Sequence, residues 1–209
     1  MHSTDVNADY DACEFCSPRN SEHWFNAPVA TTEDFSAIPS VGSFVPGYLL
    51  VIPKRHLFSS SQLPQDLKRA FSQFITDLSS HLQSLYSSPV TIFEHGASES
   101  LNDKSSSCVS HAHVHLVPGD YDLVSHMPDS GKSYASLDDF IEPRREYPYL
   151  MCSHSGRVHC YPDLPISQYY RRAVATALGK PDSWDYAAFP YWDNLRQTYK
   201  DFQSFRFPY

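Results

Sequence analysis

The run His111-Ala-His-Val-His-Leu-Val-Pro118 sets three imidazoles at alternate positions along an otherwise apolar stretch. On an extended strand, alternate side chains leave the same face at steps of roughly 6.5–7 Å. His111, His113 and His115 would then share one face, while Ala112, Val114 and Leu116 pack on the other. Such a row admits two chemistries. All three could hold a single metal, as in a zinc hydrolase, or one could bind metal while the others act on a substrate. A neutral imidazole is a competent nucleophile near pH 7, because its ordinary pKa leaves much of it unprotonated.

The cysteines bear on this choice. There are five, Cys13, Cys16, Cys108, Cys152 and Cys160, an odd set for a disulfide framework. The first sixteen residues, MHSTDVNADYDACEFC, are polar and acidic and lack the apolar centre of a signal peptide. The expected compartment is therefore reducing and cytoplasmic, which leaves the nucleus open as a second location. Cys13-Glu-Phe-Cys16 then reads as a metal-binding or a redox pair. As a metal pair it supplies two thiolates, and a closed zinc site wants two further ligands. His56, which follows the strand-like Gly47-Tyr-Leu-Leu-Val-Ile-Pro53, and His111 are the natural candidates.

Val51-Ile-Pro-Lys-Arg-His56 together with His111-Ala-His-Val-His-Leu-Val resembles the histidine triad (HIT) superfamily, whose motif alternates three histidines with apolar residues. The resemblance spans about residues 13–118, with the cysteine pair, strand, helix, strand, Ser-rich loop and triad in the expected order. It implies an α+β fold: an antiparallel sheet with a long helix packed across it. It also implies an enzyme, a nucleotidyl hydrolase or transferase working at an α-phosphate, on a phosphoramidate, dinucleoside polyphosphate or related phosphoanhydride. Carried onto this chain, His113 would form a covalent nucleotidyl-histidine, and His115 would bind phosphate oxygens and help protonate the leaving group. Cys13, Cys16, His56 and His111 would hold a structural zinc ion. The partner implied is a small nucleotide or phosphorylated molecule, and family members are often homodimers. A third histidine where the nucleotide-sugar transferase branch has glutamine favours hydrolysis.

Several positions depart from the family pattern. Tyr48 stands where many members have histidine, Ser40 where an acidic residue commonly binds ribose hydroxyls, and Cys108 where a serine often contacts phosphate. His95, in Glu94-His95-Gly96, replaces the usual asparagine-bearing turn. The expected substrate-binding set is Tyr48, His95, Ser107, Cys108, Gln168 and Arg171. The departures motivate two alternatives: a specialised HIT-like enzyme on a non-nucleotide biosynthetic substrate, and a non-catalytic nucleotide-binding protein. The intact His113 speaks against the second.

The elements that must position these residues are legible from periodicity. Short β-like runs fill Trp24–Pro53. A helix follows over about 64–86, with Leu67, Phe71, Phe74, Ile75, Leu78, Leu82 and Leu85 on one stripe. Val90–His95 and the triad read as strands, 119–146 as a long connection, and Tyr147–Cys152 with Arg157–Tyr161 as a hairpin. Helices are expected over Ser167–Gly179 and near Asn194–Phe202. Gln168, Arg171 and Arg172 share a face at the start of the first of these, which reads as an anion site or as a solvated basic face. The organisation expected is a flexible tail (1–12), a HIT-like core (13–120) and a partly helical extension packed on it (121–209). A net charge of −8 over 209 residues disfavours a general nucleic-acid or membrane surface. No apolar run approaches the roughly 20 residues that span a bilayer.

Overall fold

A computed structural model of the chain describes residues 13–16, 23–98, 106–107, 109, 111–128 and 130–206. The expected tail at 1–12 and Cys108 lie outside these residues. Eight strands form one sheet: β1 (Ala30–Thr31), β2 (Phe35–Pro39), β3 (Leu49–Pro53), β4 (Val90–Gly96), β5 (Val114–Pro118), β6 (Lys132–Tyr134), β7 (Tyr149–His154) and β8 (Arg157–Pro162). Their order is β1-β2-β3-β5-β4-β7-β8-β6, and every pairing is antiparallel. The helices are α1 (Gln65–Tyr86), α2 (Leu137–Ile141), α3 (Tyr169–Ala177) and α4 (Trp192–Asp201). The fold is α+β, and none of the described helices is long and apolar enough to cross a membrane.

Side-chain alternation divides the sheet cleanly. Leu49 and Val51 of β3, Val114 and Leu116 of β5, and Tyr149 and Met151 of β7 face α1. That helix contributes Phe71, Phe74, Ile75, Leu78 and Leu82 at three- and four-residue steps. Leu85 continues the same spacing but is 39% exposed. The last turn of α1 meets α4 instead, where the Tyr86 hydroxyl donates to Asp201 at 2.7 Å. The other face carries Leu50 and Ile52, Phe93, Leu150 and Cys152, and is covered by Tyr170, Val174 and Ala175 of α3. A sheet buried on both faces can seat polar groups in dry surroundings only where each finds a partner. Glu94, fully buried towards α1, accepts from the Ser60 N–H (2.7 Å), the Ser60 hydroxyl (2.6 Å) and the Tyr149 hydroxyl (2.6 Å).

Three local features differ from the sequence expectation. The triad strand begins only at Val114, because the Ala112 N–H is taken by the Leu57 carbonyl and the Pro53 carbonyl by the His111 side chain. His111–His113 therefore form an irregular lead into β5. The connection after Gly119 contains β6 and α2, the latter capped by Ser136, whose hydroxyl accepts from the Asp139 N–H at 3.1 Å. Finally, β7, β8 and β6 extend the core sheet itself, since β4 pairs with β5 on one side and β7 on the other. The β7–β8 hairpin turns at Ser155 and Gly156, both with positive φ (50° and 73°), as a tight two-residue turn requires.

Candidate active site and metal centre

The three histidines part company where the chain enters β5. His111 turns Nδ1 towards the N-terminal cysteines, 3.4 Å from Cys13 Sγ and 3.4 Å from Cys16 Sγ. His56 Nδ1 lies 3.3 Å from Cys16 Sγ. All four ligand atoms fall within 4.8 Å of one another. A tetrahedral zinc bonded to sulfur and nitrogen sets neighbouring S and N atoms about 3.5 Å apart, so the donor set and its spacing fit zinc. The protonation states agree. His111 donates its Nε2–H to the Pro53 carbonyl at 2.8 Å, which fixes the tautomer with Nδ1 as the free donor atom. Burial, assisted by His56 and His113, holds His111 down at about 4 and hence neutral. Burial and the adjoining Cys13 push the Cys16 thiol up to about 12, so a cation is what would make it a thiolate.

His113 and His115 instead line a cleft on the α3 side of the sheet. The cleft encloses about 490 Å³, counting space open to solvent. Its walls are apolar, from Phe15, Ile38, Leu50 and Val109, and its polar side chains include Gln168, Arg171 and Tyr186. Ser40 lines it too, and Glu14 is the one carboxylate among the described lining residues. Phe15, between the two cysteines, packs edge-on against His111 (5.6 Å) and His113 (5.7 Å), so the metal centre and the cleft share a wall.

Each imidazole is oriented by a distinct partner. His113 donates its Nδ1–H to the His111 carbonyl at 2.7 Å, leaving the lone pair on Nε2. Burial, aided by the Arg171 charge, keeps its pKa below the ordinary value. The His115 ring stacks on Phe93 at 4.3 Å and 14°, its register partner on β4. Its Nδ1 receives the Tyr48 hydroxyl at 2.8 Å. Burial, with His113, His95 and Arg171 nearby, holds His115 well below its usual value. His95 lies behind the cleft lining: its Nε2 accepts the Tyr170 N–H at the start of α3 (3.1 Å), and burial brings its pKa to about 3.

The extension closes the site. Arg171 is only 3% exposed and donates to the Tyr48 hydroxyl (3.1 Å), the Gly42 carbonyl (2.9 Å) and the Trp184 carbonyl (3.2 Å). Arg172 instead sits over the Trp184 ring, 3.3 Å from its centroid. The expected alternative of a solvated basic face is thus not what α3 presents at Arg171. Gly42 adopts φ +77°, and a Cβ there would fall 2.5 Å from Tyr186 Cβ and 2.6 Å from Arg171 Nη2. Gln168 is buried at φ 56°, with its N–H on the Ser106 carbonyl (2.8 Å) and its Oε1 without a hydrogen-bond partner among the described residues. Ser106 in turn donates its hydroxyl and N–H to Asp163.

Of the expected substrate-binding residues, Gln168 and Arg171 reach the cleft with His113 and His115. Tyr48 and His95 support it from behind. Ser107 spends its hydroxyl on the Val109 carbonyl at 2.8 Å. Glu14, Phe15 and Tyr186 were missed by sequence reasoning; only the position of Glu14 and Phe15 between two candidate ligands could have signalled them.

Residues 26–122 match the family model described as the HIT domain. No curated protein sequence matches the chain. Among solved structures, a Hit-like protein involved in cell-cycle regulation from Bartonella henselae is 18% identical, with 52% of this chain and 81% of that one covered at a TM-score of 0.44. A hypothetical histidine triad nucleotide-binding protein from Sulfolobus tokodaii is 26% identical (64% and 80% covered, TM-score 0.41). A Zn-bound histidine triad family protein from Mycobacterium smegmatis is 21% identical (57% and 84% covered, TM-score 0.43). The matched stretch, residues 26–122, holds His56 and all three triad histidines, so the chain carries a HIT domain there.

Proposed function

We propose that the protein is a nucleotidyl hydrolase or transferase acting at an α-phosphate, with His113 as nucleophile. The observation that carries this reading is the 2.7 Å bond from His113 Nδ1–H to the His111 carbonyl, on a buried neutral ring at the cleft. It leaves Nε2 as the attacking atom, and the carbonyl dipole, with no carboxylate, holds the Nδ1–H as positive charge develops on the ring. His113 Nε2 bonds to phosphorus and the leaving group departs with a proton from His115; water then cleaves the phosphorus–nitrogen bond and releases a nucleoside monophosphate. Arg171 and Gln168 bind phosphate oxygens, where positioning and charge matter more than further covalent chemistry. The apolar walls take the base, and Glu14 offers ribose hydroxyls the carboxylate that Ser40 does not supply.

Cys13, Cys16, His56 and His111 would hold zinc, which ties the N-terminal segment to β3 and β5 and fixes the Phe15 wall. Phosphorus NMR on adenosine and guanosine phosphoramidates, dinucleoside polyphosphates and nucleotide sugars tests the reading. Wild type is expected to release a nucleoside monophosphate and His113→Ala is not. Intact mass after a rapid quench should carry one nucleotidyl increment in wild type alone. If the folded, zinc-loaded protein turns over none of these, the specialised non-nucleotide reading takes its place.

A further inference from the structure

Tyr48 is fully buried, and its hydroxyl stands between two groups: His115 Nδ1 at 2.8 Å and Arg171 Nη1 at 3.1 Å. A guanidinium only donates, so the phenol oxygen accepts from Arg171 and directs its own proton to His115 Nδ1. His115 is then the Nε2–H tautomer. That Nε2 is buried, lines the cleft through its ring, and has no hydrogen-bond partner among the described residues. An orphaned buried donor facing a cleft is one that a ligand satisfies.

The surroundings restrict how His115 can act as an acid. His113 and His95 approach its ring at 4.9 and 5.8 Å, the Arg171 charge bonds the same Tyr48 hydroxyl, and burial opposes a charged ring. The acid is therefore a neutral imidazole. Giving up the Nε2 proton would leave an imidazolate, a very strong base, unless Nδ1 gains a proton in the same step. Only the Tyr48 hydroxyl stands at Nδ1 among the described residues.

We propose that Tyr48 is the proton reservoir of the leaving-group step, with Arg171 of the extension stabilising the phenolate that results. This rests on the nucleotidyl-transfer reading above. As the bond from phosphorus to the leaving atom breaks, the Nε2–H proton passes to that atom and the Tyr48 proton passes to Nδ1. When water attacks the phosphorus–nitrogen bond, its proton enters at Nε2 and the Nδ1 proton returns to Tyr48. His115 stays neutral throughout, and the charge moves to an oxygen that a buried guanidinium already contacts.

The test is Tyr48→Phe in the full-length, zinc-loaded protein, assayed on one nucleoside monophosphate scaffold with graded leaving groups. For alkylamine and alkyl alcohol leaving groups kcat should fall by about 10²–10⁴-fold, with KM little changed. For p-nitrophenol, which needs no proton to depart, the rate of its first-turnover release should hold. The solvent-isotope proton inventory on the poor leaving groups should be curved in wild type, as two moving protons require, and linear in Tyr48→Phe. Nitrogen-15 NMR of the ligand-free protein should give the Nε2–H tautomer of His115 in wild type and a mixture in Tyr48→Phe. A loss equal for all leaving groups, no loss, or an Nδ1–H wild-type tautomer overturns the relay alone. Absence of turnover by wild type overturns the nucleotidyl reading and the relay with it.

Discussion

His111 and His113, two residues apart, have opposite duties because their ring nitrogens find opposite partners. His111 gives Nε2–H to Pro53 and turns Nδ1 to sulfur, whereas His113 gives Nδ1–H to the His111 carbonyl and keeps Nε2 for the cleft. Metal content should follow this division. Cys13→Ser, His56→Ala and His111→Ala are each expected to fall below one zinc per chain by elemental analysis, while His113→Ala and His115→Ala retain it. A zinc held by all three triad histidines would give the reverse for the last two.

Acid stability also belongs to single residues. His95 has a folded pKa of about 3 against an ordinary 6.5, so between these values the unfolded chain binds a proton that the folded chain refuses. Its contribution is complete above pH 6.5 and is lost as pH falls through that window, with a slope approaching about 1.4 kcal/mol per pH unit. In His95→Gln, whose amide oxygen can still accept the Tyr170 N–H, urea midpoints at pH 7, 6 and 5 should decline less steeply than in wild type.

At the scale of elements, the site is a junction between the sheet and α3. Tyr48 just before β3, Phe93 of β4 and His115 of β5 meet the start of α3, which brings Arg171 with Gln168 as its N-terminal cap residue. Gly42 permits that approach, since its carbonyl accepts from Arg171 and any Cβ would meet Tyr186. Gly42→Ala should therefore displace α3 and weaken substrate binding, with KM rising about tenfold for the loss of one hydrogen bond to a charged group. Gln168 rests in turn on Ser106, whose carbonyl takes the Gln168 N–H and whose hydroxyl and N–H donate to Asp163. Asp163→Asn, which keeps the shape but loses the charge, should raise KM less than Gly42→Ala. Equal kinetics for Gly42→Ala and wild type would detach α3 from substrate binding.

Across the whole molecule, one sheet runs through both the triad core and the extension. β4 is central to it, flanked by β5 and β7, so the core's own strand depends on the extension for half its ladder. α4 adds a second tie, because its Thr198 hydroxyl accepts the Gly47 N–H at 2.8 Å next to β3. The two parts should unfold together. In Trp24→Phe, the remaining Trp184 and Trp192 report on the extension, and far-ultraviolet circular dichroism on the shared sheet. Their denaturation curves in urea should coincide, as a two-state transition demands. A fluorescence transition well below the dichroism midpoint would mean that the extension opens alone.

The sequence by itself determined the chemistry-bearing set and the long elements. The alternation of His111, His113 and His115, the Cys13–Cys16 pair, the stripe from Leu67 to Leu82 and the two late helices are local patterns; in the helices local geometry turns the pattern directly into a face, whereas His111 leaves the strand and turns to the cysteines. Tertiary structure alone decided three other matters. It set the tautomers of His111 and His115, because the deciding partners, Pro53 and Tyr48, sit far from the triad along the chain. It also joined 132–162 to the sheet, since strand neighbours depend on pairing across the fold and leave no local mark. Finally, it brought Arg171 to Tyr48, a contact 123 residues apart. A basic residue near a helix start reads the same in sequence whether solvent or a buried phenol receives it; only the Trp184 and Gly42 carbonyls, which hold Arg171 in the interior, make the difference.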